Sequence, residues 1–92
     1  MSNLRLLIFG MADNKNRRAV CAAVADILRQ ERISRKMSLA TVAEKAGISY
    51  QMVGFVERQE RNPTLDTVLR ICEAIGIDAV DVLKRATQAI KK

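Results

Sequence analysis

Apolar residues recur along most of this chain at the three-to-four-residue spacing of a helix face, not at the alternation of a strand. From about Asn16, the positions Val20, Val24, Ile27 and Leu28 fall at i, i+4, i+7 and i+8, which predicts a helix running to roughly Lys36. Ser38 is placed to cap a second, short helix whose inner face is Val42, Ala43 and Ala46, with Gly47 supplying the left-handed residue that ends it. Ser49 caps a third helix, Tyr50 to about Arg58, with Val53 and Val56 inward and Ile48 plugging the turn. Asn62 and Pro63 break the chain. Thr64 then caps a fourth helix with Leu65, Val68, Leu69, Cys72 and Ile75 on its buried side, ended by Gly76. Asp78 caps a fifth, Ala79 to about Ile90, whose apolar positions are Val82, Leu83, Ala86 and Ile90. Lys91 and Lys92 suit the negative end of its dipole.

Ahead of these helices lies a short apolar run, Leu4, Leu6, Leu7, Ile8 and Phe9, closed by Gly10. It reads as a short strand, as an arm that packs on a partner subunit, or as a frayed start. Strand signals are otherwise almost absent, so the fold class is all-α, a five-helix orthogonal bundle with short connections. We divide the chain into an arm (1–15), a domain (16–83) and a C-terminal extension of the fifth helix (84–92).

At 92 residues the chain has room for one domain with a modest core, so dimerisation is an expected source of further stability. The 16 lysines and arginines against 10 acidic residues give a net charge of +6, which favours a polyanion such as nucleic acid or an anionic membrane surface. No apolar run approaches the roughly 20 residues of a membrane span, and the Leu4 to Met11 stretch is too short for a secretory signal, so a cytoplasmic protein is expected. Binding to a membrane surface is disfavoured too, because the fifth helix offers only Lys84 and Arg85 beside a narrow apolar face. Cys21 and Cys72 both sit among apolar residues at helical spacing and are expected as reduced core residues. With no histidine and two isolated cysteines, no metal site or cofactor is expected. No serine or cysteine has a recognisable activating neighbour, so the chain is not expected to be an enzyme.

The informative segment is Leu39 to Gln59, LATVAEKAGISYQMVGFVERQ, a capped helix, a glycine turn and a second capped helix. Small Ala43 lets two helices cross closely, and Ile48, Val53 and Val56 fill the wedge between them. Together with Arg32, Glu57 and the stretch RNPTLDTVLRICEAIG, this segment resembles the Cro and phage-repressor type of helix-turn-helix domain, the XRE family with its lambda-repressor-like fold, over about Val20 to Val82. The resemblance implies that the third helix is the recognition helix, with Ser49, Tyr50, Gln51, Gly54 and Phe55 facing the major groove of double-stranded DNA.

Gln51 is the foremost candidate for reading a base, since its amide matches the N6 and N7 edge of adenine. Tyr50 would bond a base edge or a phosphate. Phe55 would pack either on a thymine methyl or against the N-terminal arm, and Met52 belongs to the edge of the core. Gly54 is unfavourable in a helix interior, and reads either as close approach to DNA or as a tolerated weak position. The resemblance places phosphate contacts at the start of the second helix and in the loop after the third, on Ser38, Arg58, Arg61 and Asn62, with the backbone amide of Leu39 a further candidate. Leu39 departs from the family, which commonly has glutamine there. Arg32 and Glu57 match the family's structural ion pair, whereas Lys15, Arg17, Arg18, Arg35 and Lys36 read either as solvated faces or as non-specific attraction to DNA.

The function expected from this resemblance is a homodimeric transcriptional regulator on a near-palindromic operator, with half-sites about 34 Å apart. Its interface is expected on Val82, Leu83, Ala86 and Ile90, with the arm Leu4 to Phe9 adding to it. The alternative is an antitoxin or bridging adaptor whose main partner is a protein.

Overall fold

The computed structural model describes residues 14–90, so the arm Leu4 to Phe9 and the terminal Lys91 and Lys92 lie outside the described residues. Those residues form five helices: α1 (Asn14–Ser34), α2 (Leu39–Ala46), α3 (Tyr50–Glu57), α4 (Leu65–Ile75) and α5 (Ala79–Ala89). The four later helices begin at the caps expected of them. Ser38 Oγ accepts from the Thr41 amide at 3.0 Å, Ser49 Oγ from Met52 at 3.1 Å, Thr64 Oγ1 from Thr67 at 3.1 Å and Asp78 Oδ1 from Val80 at 3.0 Å. Each bond satisfies an amide that has no partner inside its own helix.

All four of the first helices end through a left-handed residue. At Gly47 and Gly76, with φ of 70° and 89°, the residue type announces the turn. At Lys36 and Gln59, with φ of 58° and 62°, it does not. Both nevertheless close their helices in the same hydrogen-bonded pattern: Met37 N–H bonds Arg32 O and Lys36 N–H bonds Ile33 O, while Glu60 N–H bonds Phe55 O and Gln59 N–H bonds Val56 O. This places the end of α1 at Ser34, two residues before the expected Lys36, and leaves Arg58 as the cap of α3.

The core is assembled from every helix. Leu28 of α1, Val42 of α2, Val53 and Val56 of α3, Ile71 of α4 and Val82 of α5 are each less than 2% exposed. Burying a side chain of this size stabilises the fold by about 1.5–3 kcal/mol. α1 packs chiefly on α5, and α2 on both α3 and α4, so the helix-turn-helix pair sits on a platform made by the other three.

Three expectations for the core are corrected. In α4 the buried stripe is Ile71, Cys72, Ala74 and Ile75 with half-buried Val68, while Leu65 and Leu69 are 68% and 41% exposed. The helix is apolar over a wider arc than its neighbours cover, and the spacing alone does not show which edge they leave open. Cys72 is buried, and burial pushes its thiol pKa up, but Cys21 is exposed. Cys21 follows half-buried Val20 by one residue, and so is turned about 100° away from the line of Val20, Val24 and Leu28. Val82 and Ala86 have no exposed surface at all; they face this chain's own core and are removed from any intersubunit surface.

Candidate nucleic-acid interface

The two helices of the motif are fixed at both ends of their shared turn. Gly47 turns the chain in a conformation that strains any residue bearing a Cβ, and a Cβ there would also lie 3.3 Å from Arg70 Nη1. That same nitrogen donates to Ala46 O at 3.3 Å, covering the end of α2. Arg70 is paired in turn with Asp66, whose carboxylate raises the guanidinium pKa. Val42, Ala43 and Ala46 from α2 meet Val53 and Val56 from α3 in the buried wedge, with Ile48 half-buried against it.

The far end of α3 is held from α1. Arg32 and Glu57 are paired, with side chains only 13% and 6% exposed. Arg32 Nε donates to Glu57 Oε2 at 2.7 Å and Nη2 to Oε1 at 3.0 Å, the fork-on-fork geometry that a lysine cannot make. Its remaining terminal nitrogen, Nη1, donates to Met37 O at 2.7 Å, a contact for which the residue pattern gives no signal. Arg32 therefore fixes the segment that presents Ser38 in relation to the end of α3.

The expected groove-facing residues are not one uniform face. Ser49, Tyr50 and Gln51 are exposed together at the start of α3, and the oxygen of Ser49 is engaged in capping. Gly54 is buried, contrary to the expected groove-facing position. The Arg58 guanidinium folds back over it, and a Cβ on Gly54 would stand 2.8 Å from Arg58 Nη1. Phe55 is half-buried with two guanidinium groups against its ring, Arg61 at 4.9 Å and Arg58 at 5.6 Å from the centroid. Arg58 Nε also donates to Glu60 Oε2 at 2.8 Å. That bond lowers the pKa of Glu60 and raises that of Arg58.

Of the expected phosphate-contacting residues, Ser38, Arg58, Arg61 and Asn62 are exposed. Ser38 accepts from the Thr41 amide and lies 2.9 Å from the Thr41 hydroxyl. The side chain of Leu39 packs against the core, so any contact it makes to a phosphate is through the main chain. Behind the motif, Glu31 joins α1 to α5: it bonds Arg35, one residue past the end of α1, and Arg85 Nη1 at 3.0 Å. Arg35 first and Arg85 second hold its carboxyl below the usual carboxylate range.

A further surface is apolar. Val20, Val68, Leu65, Leu69, Val80 and Leu83 line a groove of about 400 Å³ between α1, α4 and α5. Val80 and Leu83 are 71% and 44% exposed, and Ile90 is half-buried at the end of α5. Among the described residues, no group of three or more cysteines, aspartates or glutamates is placed to hold a metal ion, and no helix is long and apolar enough to cross a membrane.

A capped helix, a left-handed glycine, a second capped helix with an exposed polar start, and an ion pair bracing its end define a helix-turn-helix protein. A family profile described as Helix-turn-helix matches residues 28–82, and the chain belongs to that family, in its Cro and phage-repressor (XRE) type, a DNA-binding class of transcription regulator. It is 38% identical over 50 residues to the HTH-type transcriptional regulator SutR of Escherichia coli (strain K12). That alignment covers 54% of this chain and 28% of the regulator, so the chain corresponds to little more than a quarter of that relative's length. Among solved structures, the fold is similar to the wild-type restriction-modification controller protein C.Esp1396I, with a TM-score of 0.71 at 19% identity, over 79% of this chain and 96% of that one. A single-residue variant of the same controller also matches with a TM-score of 0.71, at 18% identity over 77% of this chain and 92% of that one.

Proposed function

We propose that this chain is a sequence-specific regulator of transcription that binds double-stranded DNA as a homodimer, with α3 in the major groove. The observation that carries this reading is the division of labour along α3. An exposed Ser49, Tyr50 and Gln51 at its start are able to donate to and accept from base edges, and Arg58, Arg61 and Asn62 stand beyond its end, where phosphates flank the groove. Ser38 and the main chain of Leu39 bring the start of α2 to the backbone on the other side. The net charge of +6 attracts any duplex, and Gln51 supplies the sequence preference.

A second copy of the chain is assigned to the groove between α1, α4 and α5. Leu65, Leu69, Val80 and Leu83 expose apolar side chains along that groove, a surface that a second copy would cover. Of the residues expected at the interface, Leu83 lines this groove, whereas Val82 and Ala86 are fully buried within the chain. A two-fold dimer presents two copies of α3 about 34 Å apart, matching successive major grooves on one side of B-DNA.

Selection of binding sites from random duplexes, followed by titration of the winner and of a scrambled duplex across a salt series, tests the proposal. An inverted repeat bound about a thousandfold or more tightly than the scramble is the expected result. Uniform, weak binding abolished by modest salt contradicts it.

A further inference from the structure

Beyond the start of α3 lies an arrangement that base reading does not use. The ring of Phe55 meets the guanidinium groups of Arg61 at 4.9 Å and of Arg58 at 5.6 Å. The two arginines come from different backbone settings: Arg58 caps α3, and Arg61 follows the left-handed turn at Gln59. Arg58 meets the ring at the i,i+3 spacing of a helix, whereas Arg61 reaches it only because the chain turns at Gln59. Gly54 makes room for the Arg58 contact, because a Cβ there would stand only 2.8 Å from Arg58 Nη1 and push the guanidinium aside. Glu60 engages Arg58 through Nε at 2.8 Å, which leaves the two terminal nitrogens of Arg58 for another acceptor. An aromatic face attracts a cation and orients its plane, and a long side chain held in this way loses less freedom when it meets a phosphate.

We propose that Phe55 is a positioning residue for a two-arginine phosphate clamp: it holds Arg58 and Arg61 ready for the DNA backbone and does not itself read a base. Its ring already carries two cations, which displaces the thymine-methyl role that its place on the recognition helix suggests. The inference rests on the DNA-binding reading above, and its test separates the two.

In the free protein, NMR should show the side-chain methylene protons of Arg58 and Arg61 shifted by the ring current of Phe55, with the shift lost in Phe55→Leu. On DNA, Phe55→Leu should weaken binding to every duplex by about 5- to 30-fold, leave the selected base preferences unchanged, and be rescued by Phe55→Trp. In a protein that already carries Arg58→Ala and Arg61→Ala, the same substitution should have no further effect. A change of preferred base in Phe55→Leu, a loss of affinity that persists without the two arginines, or absent ring-current shifts would each overturn the proposal. If wild-type protein binds no duplex at all, both readings fall; if it binds and Phe55→Leu matches it, only this one does.

Discussion

Arg32 grips Glu57 through two parallel hydrogen bonds of 2.7 and 3.0 Å and, with its third nitrogen, the Met37 carbonyl at 2.7 Å. One guanidinium thus sets the end of the recognition helix against the segment that leads into α2. Both side chains are largely withdrawn from water, so removing one partner strands the other's charge. Glu57→Leu or Arg32→Met alone should lower unfolding free energy by about 3–5 kcal/mol in urea titrations. The double variant Arg32→Met with Glu57→Leu should recover much of that loss, because no uncompensated charge remains. Its affinity for DNA should stay below wild type, since the Met37 contact is gone.

Gly54→Ala separates stability from binding. Replacing an interior helical glycine with alanine favours the helix by up to about 1 kcal/mol, and the Cβ displaces only the far end of Arg58. Thermal melting should therefore show an equal or higher Tm. The displaced guanidinium leaves Phe55, so affinity for all duplexes should fall in the same protein.

Glu31 gives the fold an acid-sensitive brace. Its hydrogen bonds to Arg35 and then Arg85 lower its folded pKa, whereas the unfolded chain has the ordinary glutamate value of about 4.3. A carboxyl of this kind contributes stability above its unfolded pKa and loses it as pH falls through the folded value. Stability should be flat in this contribution near neutrality and decline below about pH 4.3. Glu31→Gln should be less stable at pH 7 and show a shallower acid decline, measured by urea titration at stepped pH.

The apolar groove makes a prediction about assembly that does not depend on DNA. Leu69→Lys and Leu83→Lys alter side chains that are 41% and 44% exposed, so each should melt within a few degrees of wild type. Sedimentation at micromolar concentration should show dimer for wild type and monomer for the variants. Equal dimer content in all three would take the interface away from this groove.

Much of this architecture is written in local chemistry. Ser38, Ser49, Thr64 and Asp78 cap the helices they precede, and Gly47 and Gly76 close α2 and α4. The pattern is silent where a general residue does a glycine's task. Lys36 and Gln59 adopt left-handed backbone that only the surrounding hydrogen bonds reveal. It is also ambiguous wherever a helix is apolar on more than one side: Leu65 and Leu69 look as core-like as Cys72 and Ile75, and which pair is buried depends on where the neighbouring helices, α2 above all, pack on α4. At the interface, periodicity turns Gly54 outward, but the conformation of Arg58 covers it, and the course of one long side chain is not encoded in spacing. Arg32 with Glu57 is legible as a family pair and Arg58 stands at helical spacing from Phe55, whereas the Met37 contact and the reach of Arg61 to the ring depend on left-handed turns that the pattern does not show.

Position-resolved selection on Gln51→Ala, beside wild type and Arg61→Ala, shows whether α3 reads bases through its exposed start. Gln51→Ala should relax preference at one symmetric pair of positions, by about 1–3 kcal/mol of discrimination, with the rest of the site unchanged. Arg61→Ala should weaken all sequences alike and reduce the salt dependence. A Gln51→Ala protein that selects the wild-type site with undiminished preference at every position would contradict base reading through the start of α3.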